Sequence, residues 1–235
     1  MAISLINTSA VSAINGLSIT LNIATATSCL INGDQVFVAM ACPRAQTLVA
    51  YSSGGTAITP ITSTFVSGNL NYGVFTKIST GGDLTIVCSN SGNAQDGCAA
   101  AYVVLRGAET YRVDAPDATA TGTSTSPNPP QLTAPSTAFA IVACAASLSA
   151  STVTGIGGAF STPVSTTGSD TRSTTIAMSW SSTPLSSNPY DPGVYGFSVS
   201  GAWFATSIAV AVSGSIDLPD TQPQDFFTKT EILGY

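Results

Sequence analysis

Hydrophobic and polar residues alternate in short segments along this chain. The clearest case is residues 17–23, where four aliphatic residues alternate with Ser, Thr and Asn. Such alternation is typical of a β-strand with one buried and one solvated face. Residues 36–41 are continuously apolar instead, which predicts a central strand covered on both sides. No window of a dozen residues repeats its apolar positions with the 3.6-residue period of a helix, so we expect an all-β protein.

Further β-prone segments are separated by glycine, asparagine, aspartate and proline, the residues that favour turns. They are residues 47–51, 58–66, 71–78, 84–89, 99–105, 139–146, 174–180, 194–199 and 203–212. This spacing predicts about ten to twelve strands in an antiparallel, jelly-roll-like β-sandwich.

Low-complexity sequence interrupts this pattern over residues 114–135. It is either a linker between two small domains or a crossover between the sheets of one sandwich. We prefer the crossover, because residues 203–212 need a partner sheet and the second half has too few apolar segments for a core of its own. The predicted organisation is an N-terminal arm over residues 1–15, one sandwich domain over residues 16–214 and a C-terminal arm over residues 215–235.

Two pairs of segments in the two halves of the chain resemble each other. Residues 36–42 are similar to residues 138–144, and residues 101–105 to residues 207–212. A duplicated half-barrel would produce this likeness, and so would shared β-composition in a chain rich in alanine and valine. We prefer shared composition at this point.

Composition excludes most catalytic chemistries. The chain has no histidine, 6 Lys+Arg and 12 Asp+Glu, and only 8% of its residues are charged, against about 25% in typical soluble domains. Ser-His-Asp triads, Cys-His dyads and histidine-based zinc sites are therefore excluded. Because burying Ser and Thr hydroxyls costs less than burying charged groups, a neutral, hydroxyl-rich surface favours lasting contacts with other subunits.

The charge balance argues against a nucleic-acid partner. The net charge is −6, whereas nucleic-acid binding depends on clustered Lys and Arg. The basic residues are scattered and are interpreted as surface or ion-pairing residues: Arg44, Lys77, Arg106, Arg112, Arg172 and Lys229. With no apolar stretch of 18 residues and no secretory signal at its start, the sequence predicts a soluble chain made in a cytoplasm, with no membrane partner.

Five cysteines are present, without the CxxC spacing of a metal site. Cys42, Cys88 and Cys144 lie in apolar runs, where a buried thiol acts as a small hydrophobe. A Cys88–Cys98 disulfide across the intervening turn is possible, although a reducing compartment would normally leave it open.

Paired carboxylates are the catalytic device that this composition still permits, as in glycosidases. The candidates are Asp34, Asp83, Asp96, Glu109, Asp114, Asp117, Asp170 and Asp191. Asp34, Asp83 and Asp191 occupy turns, where aspartate is favoured for local hydrogen bonds alone. Asp114 and Asp117 could offer oxygen ligands to calcium, but their spacing matches no recognised loop. The sequence therefore predicts no catalytic, cofactor-binding or metal-binding residue.

Aromatic side chains offer a different kind of site. Trp180, Trp203, Tyr190 and Tyr195 could form a platform for a sugar if they are exposed. Core packing is the preferred interpretation of the two tryptophans, because Trp180 ends an apolar segment and Trp203 begins one.

The C-terminal stretch differs from the rest of the chain. Residues 217–225 are acidic and interrupted by proline, and residues 226–235 carry apolar side chains. This pattern suits an arm that docks on a neighbouring subunit, and ordinary terminal disorder is the alternative. The predicted partner-binding residues are Phe226, Phe227, Ile232, Leu233 and Tyr235.

Four strand motifs taken in order carry a family resemblance. They are Gly-Asp followed by an apolar strand at residues 33–39, a Tyr-x-Val-x-x-Lys strand at 72–77, Ala-Tyr-Val-x-x-Arg-Gly at 101–107 and a closing Trp-x-Ala strand at 203–210. Over residues 30–212 the chain resembles β-sandwich structural proteins of tailed bacteriophages.

The resemblance implies a non-enzymatic virion component without a cofactor. We expect a head decoration (cement) protein on the capsid surface, made in the host bacterial cytoplasm. Proteins of this kind bind the major capsid protein, commonly as homotrimers, and stabilise the head. The alternative is a tail fibre or adhesin module that binds a host-surface glycan.

Overall fold

A computed structural model describes most of the chain, and most of the described residues lie in β-strands. The described residues are 3–13, 18–25, 29–44, 47–58, 60–61, 65–67, 69–91, 96–107, 118–133, 139–181 and 189–211. They form fifteen strands and no helix. The strands are β1 (Ser4–Ala13), β2 (Ser18–Asn22), β3 (Asn32–Pro43), β4 (Leu48–Ser52), β5 (Phe65–Ser67), β6 (Leu70–Thr80), β7 (Thr85–Asn90), β8 (Cys98–Arg106), β9 (Ala118–Ser124), β10 (Phe139–Ser147), β11 (Val153–Thr154), β12 (Val164–Gly168), β13 (Thr174–Trp180), β14 (Gly196–Phe197) and β15 (Gly201–Ala211).

Two five-stranded sheets form the centre of the molecule, with strand orders β1-β8-β3-β6-β5 and β12-β13-β10-β15-β9. Neighbouring strands within them are antiparallel. The inner faces of both sheets contribute to one hydrophobic core, with Phe37, Tyr72 and Val103 on one side and Val142 and Ile208 on the other. The prediction of an all-β protein with antiparallel sheets is confirmed.

A further layer covers the outer face of each central sheet. The sheet β2-β7-β4 covers the first, and Ile19, Leu21 and Ile86 meet Val38 and Tyr102 there in a second core. The pair β11-β14 lies against the second sheet. Residues 36–41 are fully buried because their side chains alternate between these two cores, which explains their unbroken apolar sequence.

The two halves of the chain repeat one arrangement. Each strand of the first sheet has a counterpart in the second, at the same place in the sheet and in the same chain order. The first-sheet strands β1, β3, β5, β6 and β8 correspond to β9, β10, β12, β13 and β15. The register repeats as well: Ala39 faces Ala101, and the residues 105 positions later, Cys144 and Thr206, also face each other.

Each central sheet also donates one side-chain hydrogen bond to the segment that covers its outer face, and the two donors are again 105 positions apart. The Tyr102 hydroxyl donates to the Asn22 carbonyl at 2.5 Å, and in the second half the Ser207 hydroxyl donates to the Pro130 carbonyl at 2.7 Å. Shared composition does not reproduce registers and contacts of this kind. The structure therefore favours duplication, contrary to the preference drawn from sequence.

Several predicted segments have a different form in the structure. The proposed N-terminal arm contains β1, which pairs with β8 along Ser4–Ala13. The proposed low-complexity crossover contains β9, which pairs with β15. The strands number fifteen rather than ten to twelve, partly because β11 and β14 have only two residues each. Two-residue strands are too short to show alternation, and β9 alternates Ala and Gly with Thr, residues too similar in hydropathy to give a clear signal.

The cysteine pairing also differs from the sequence-based possibility. Cys98 at the start of β8 forms a disulfide with Cys42 of β3, and not with Cys88. Cys42 and Cys98 lie on neighbouring antiparallel strands with their Cα atoms 4.5 Å apart, within the range that disulfides span. The Asn90 side-chain amide donates to both sulfur atoms. The predicted burial of Cys42, Cys88 and Cys144 is confirmed.

Candidate functional site

Three of the candidate carboxylates lie in internal ion pairs. Asp34 is 1% exposed and receives two hydrogen bonds of 2.8 Å from the Arg106 guanidinium. Its second oxygen also accepts the Ile31 backbone N–H at 2.8 Å. The hydrogen bond to Asp34 raises the pKa of Arg106 above its usual value.

Asp83 and Asp96 follow the same pattern. Asp83 is buried in its turn, where it pairs with Lys77 and accepts the Thr80 N–H at 3.3 Å. Asp96 is buried against Arg44, with 3.1 Å between Nε and Oδ1. Each of these carboxylates is thus paired with its own cation, and none of the pairs brings two carboxylates together as glycoside hydrolysis requires.

The remaining described acids make short-range hydrogen bonds within turns. Asp191 accepts the Gly193 N–H at 3.0 Å, and Asp170 accepts the Thr171 N–H at 2.7 Å. The sequence predicts that Asp191 makes local hydrogen bonds within its turn, and the structure confirms this prediction. Glu109, Asp114 and Asp117 lie outside the described residues. Within the described part of the chain, no group of three potential ligands among His, Cys, Asp and Glu could hold a metal ion.

The four aromatic candidates do not form one exposed platform. Trp203 is 8% exposed, and its indole N–H donates to the Ser124 hydroxyl at 2.9 Å. Tyr195 is fully buried and donates to the Ala143 carbonyl at 2.8 Å. Tyr190 is half-buried beside Phe160 in the outer layer of the second sheet. Trp180 packs against the central core instead, so core packing is confirmed for both tryptophans.

An open groove runs beside β1, on a segment that sequence analysis assigned to an arm. It has a volume of about 310 Å³ and lies between β1 and the end of β2. Its lining is uncharged and consists of Asn7, Thr8, Ser9, Val11, Asn22, Thr25 and Tyr102. We call it the β1 groove.

Hydrogen bonds between β1, β2 and β8 shape the β1 groove. The Asn7 side chain donates to the Ile23 carbonyl at 3.0 Å, and the Thr8 hydroxyl donates to the Tyr102 carbonyl at 2.8 Å. Burial raises the pKa of Tyr102, and a hydrogen bond with Asn7 partly opposes this rise. The Tyr102 hydroxyl therefore remains protonated near neutral pH. The groove offers hydroxyl and amide groups in an uncharged lining.

The predicted C-terminal contact residues Phe226, Phe227, Ile232, Leu233 and Tyr235 lie outside the described residues. Sequence reasoning missed the β1 groove because the groove depends on the pairing of β1 with β8, which are some ninety positions apart. Alternation in residues 4–13 was the available signal, and it is weak because Ser, Thr and Ala dominate there.

Comparisons with known proteins add no assignment: no family model, no curated protein and no solved structure matches the chain. Among the described residues, no helix is long and apolar enough to cross a membrane.

Proposed function

We propose that this chain is a non-enzymatic structural protein of a tailed-bacteriophage virion, a head decoration (cement) protein that binds the major capsid protein and stabilises the head. The observation that carries the proposal is the placement of the charged side chains. Asp34, Asp83 and Asp96 are buried in ion pairs, while hydroxyl-bearing residues are prominent on the edge strands β1 and β9. The four strand motifs that resemble phage sandwich proteins support it.

The physical argument concerns the cost of removing water from a surface. Charged side chains must be desolvated before they enter an interface, whereas Ser, Thr and Ala side chains lose little hydration. In the second half, residues 118–211 contain only Asp170, Arg172 and Asp191 as charged residues. A surface of this composition is suited to permanent contact with other subunits.

The proposal includes the finer expectations that follow from the resemblance. The sandwich is jelly-roll-like, the protein assembles as a homotrimer on the capsid surface, and the C-terminal segment docks on a neighbouring subunit through Phe226, Phe227, Ile232, Leu233 and Tyr235. It needs no cofactor, nucleic acid or membrane.

Quantitative mass spectrometry of purified virions tests the location. The proposal expects this chain at a copy number comparable with that of the major capsid protein. A copy number far below that of the capsid protein, together with glycan binding that Tyr190→Ala abolishes, would establish the adhesin alternative instead.

Binding to purified heads that lack the protein tests the contact residues. Full-length chain carrying Phe226→Ser and Phe227→Ser should bind at least tenfold more weakly than wild type, because two apolar anchors are lost. The matched control, Gln222→Ala with Gln224→Ala in the same segment, should bind as wild type. Equal binding by both variants would contradict the assignment of the apolar residues.

A further inference from the structure

We propose that the open edge of β1 is an acceptor for an added β-strand, and that its occupant is residues 226–235 of a second copy of this chain. This inference rests on the proposed function, in which the C-terminal segment docks on a neighbouring subunit, and it names the surface on which the segment docks.

The β1 strand has the properties of an unprotected sheet edge. It is ten residues long, contains no charged residue and no proline, and pairs with β8 without interruption from Asn7 to Ala13, beyond a register shift between Leu5 and Asn7. It pairs with β8 on one side, and no described strand pairs with its other side. The edges β5, β9 and β12 of the same two sheets have three, seven and five residues. Proteins usually block long edges with charges, prolines or a covering segment, so an edge of this kind is suited to pairing.

The direction of the backbone groups on β1 follows from one hydrogen bond. The Thr8 N–H is bonded to the Asn7 side-chain oxygen at 2.9 Å, which places it on the side away from β8. Because successive N–H groups along a strand point in opposite directions, those of Ala10 and Ser12 also face away from β8. They are donors in the right positions for an additional antiparallel or parallel strand.

The β1 groove supplies space for the side chains of an added strand. Ser9 pairs with Tyr102 in the sheet, and Ser9, Val11 and Tyr102 all line the groove. A strand added beside β1 therefore directs every second side chain to the mouth of the groove. The lining is neutral, so it favours uncharged side chains there.

Residues 226–235 have the matching pattern. Thr228 and Thr230 alternate with Lys229 and Glu231, so a strand of this sequence has an uncharged face and a charged face. The uncharged face meets the groove. The charged face stays hydrated, because β1 packs over the edge strand β12 and a strand beyond β1 extends past that edge.

The position of Ala211 favours a second copy as the donor, and the chain length allows the segment to reach it. Fourteen residues separate Ala211 from Phe226, enough to span about 46 Å when extended. Ala211 ends β15, which lies beside β9, whereas β1 packs over β12 at the opposite edge of that sheet. Ala211, the last described residue, thus lies on the side of the molecule remote from its own β1 edge.

Sedimentation equilibrium of the full chain tests the surface. Wild type should self-associate, and Ser9→Lys should raise the dissociation constant at least tenfold because it places a charge at the exposed mouth of the groove. The matched control is Thr121→Lys, at an exposed position on the equivalent edge strand β9, and it should associate as wild type. Thermal melting verifies that both variants are folded.

A synthetic peptide of residues 224–235 tests the occupant and needs no change to the protein. In excess it should dissociate the wild-type assembly. Two methylated peptides, one N-methylated at Thr228 and Thr230 and the other at Lys229 and Glu231, should differ in their potency as competitors. The reason is that only alternate N–H groups of an added strand face β1. One of the two methylated peptides should lose at least tenfold in potency, and the other should compete as the unmodified peptide does.

A monomeric wild-type chain, equal effects of Ser9→Lys and Thr121→Lys, or equal potency of the two methylated peptides would overturn the inference. Its failure is distinguishable from that of the proposed function. A chain that self-associates through β1 but is absent from virions overturns only the virion assignment. A chain found on heads that does not associate through β1 overturns only this inference.

Discussion

The contact between Gly97 and Gly168 provides a direct test of how the two halves pack. Gly97 precedes β8 of the first sheet, and Gly168 ends β12 of the second. A Cβ atom added to Gly168 would lie 2.6 Å from the carbonyl carbon of Gly97 and 2.7 Å from that of Cys98. Ordinary contacts of this type begin at 3.4 Å. Gly168→Ala therefore forces two backbone segments apart.

The size of the effect follows from the nature of the obstructing atoms. Overpacking usually costs about 1–3 kcal/mol, and backbone atoms cannot rotate away as a side chain can, so we expect the upper part of that range. For a domain of this size, a loss of about 2–3 kcal/mol lowers the melting temperature by roughly 4–12 °C. Gly54→Ala is the matched control, since an added Cβ there meets nothing within 4 Å.

Thermal unfolding followed by circular dichroism, with urea midpoints as a second measure, provides the assay. Gly168→Ala should melt well below wild type, whereas Gly54→Ala should lie within about 0.5 kcal/mol of it. Indistinguishable melting of the two variants would refute the close approach of the sheets at Gly97 and Gly168.

Three further predictions concern the cysteines and the buried hydroxyls. Replacing Cys42 and Cys98 together by Ala should cost about 2–4 kcal/mol in urea unfolding, because the disulfide closes a long loop across residues 56 positions apart; an unchanged midpoint would contradict the bridge. In the native protein, thiol titration at pH 8 should modify the exposed Cys29 and not the buried Cys88, whose pKa burial raises to about 12, and equal rates at both would be evidence against this burial. Stability should fall between about pH 9 and pH 12. Burial raises the pKa of Cys88 and also those of Tyr72 and Tyr195, so the unfolded state releases these protons at lower pH than the folded state does. Urea midpoints at pH 8 and pH 10.5 measure this, and a higher midpoint at pH 10.5 would contradict the prediction.

Much of the fold was predictable because it depends on local pattern. Residues 36–41 are apolar at every position, and they form a strand buried on both faces. Asp34 follows a glycine at the start of β3 and Asp83 precedes β7 after two glycines, and both accept local backbone N–H groups. In these cases the local pattern of residues indicates the strand or the turn, so sequence alone is informative.

The β1 groove was not predictable in the same way. Residues 4–13 alternate only weakly, and their pairing with β8 joins positions about ninety residues apart. The β1 groove then depends on a third segment, the end of β2, which approaches through the Asn7–Ile23 hydrogen bond. A propensity read along the chain contains no information on such distant pairings.

The sequence by itself determined the all-β class, the burial of the apolar strands and the exclusion of histidine-dependent chemistry, because these depend on periodicity and composition. Tertiary structure alone decided which strands share a sheet, which cysteine bonds to Cys98, and which long edge has no described strand beside it. It also favours duplication over shared composition, since only the folded chain displays the repeated register of β3–β8 and β10–β15. The physical reason is that long-range pairing is selected by the packing of whole sheets, in which each strand gains its stability from partners that are distant in sequence.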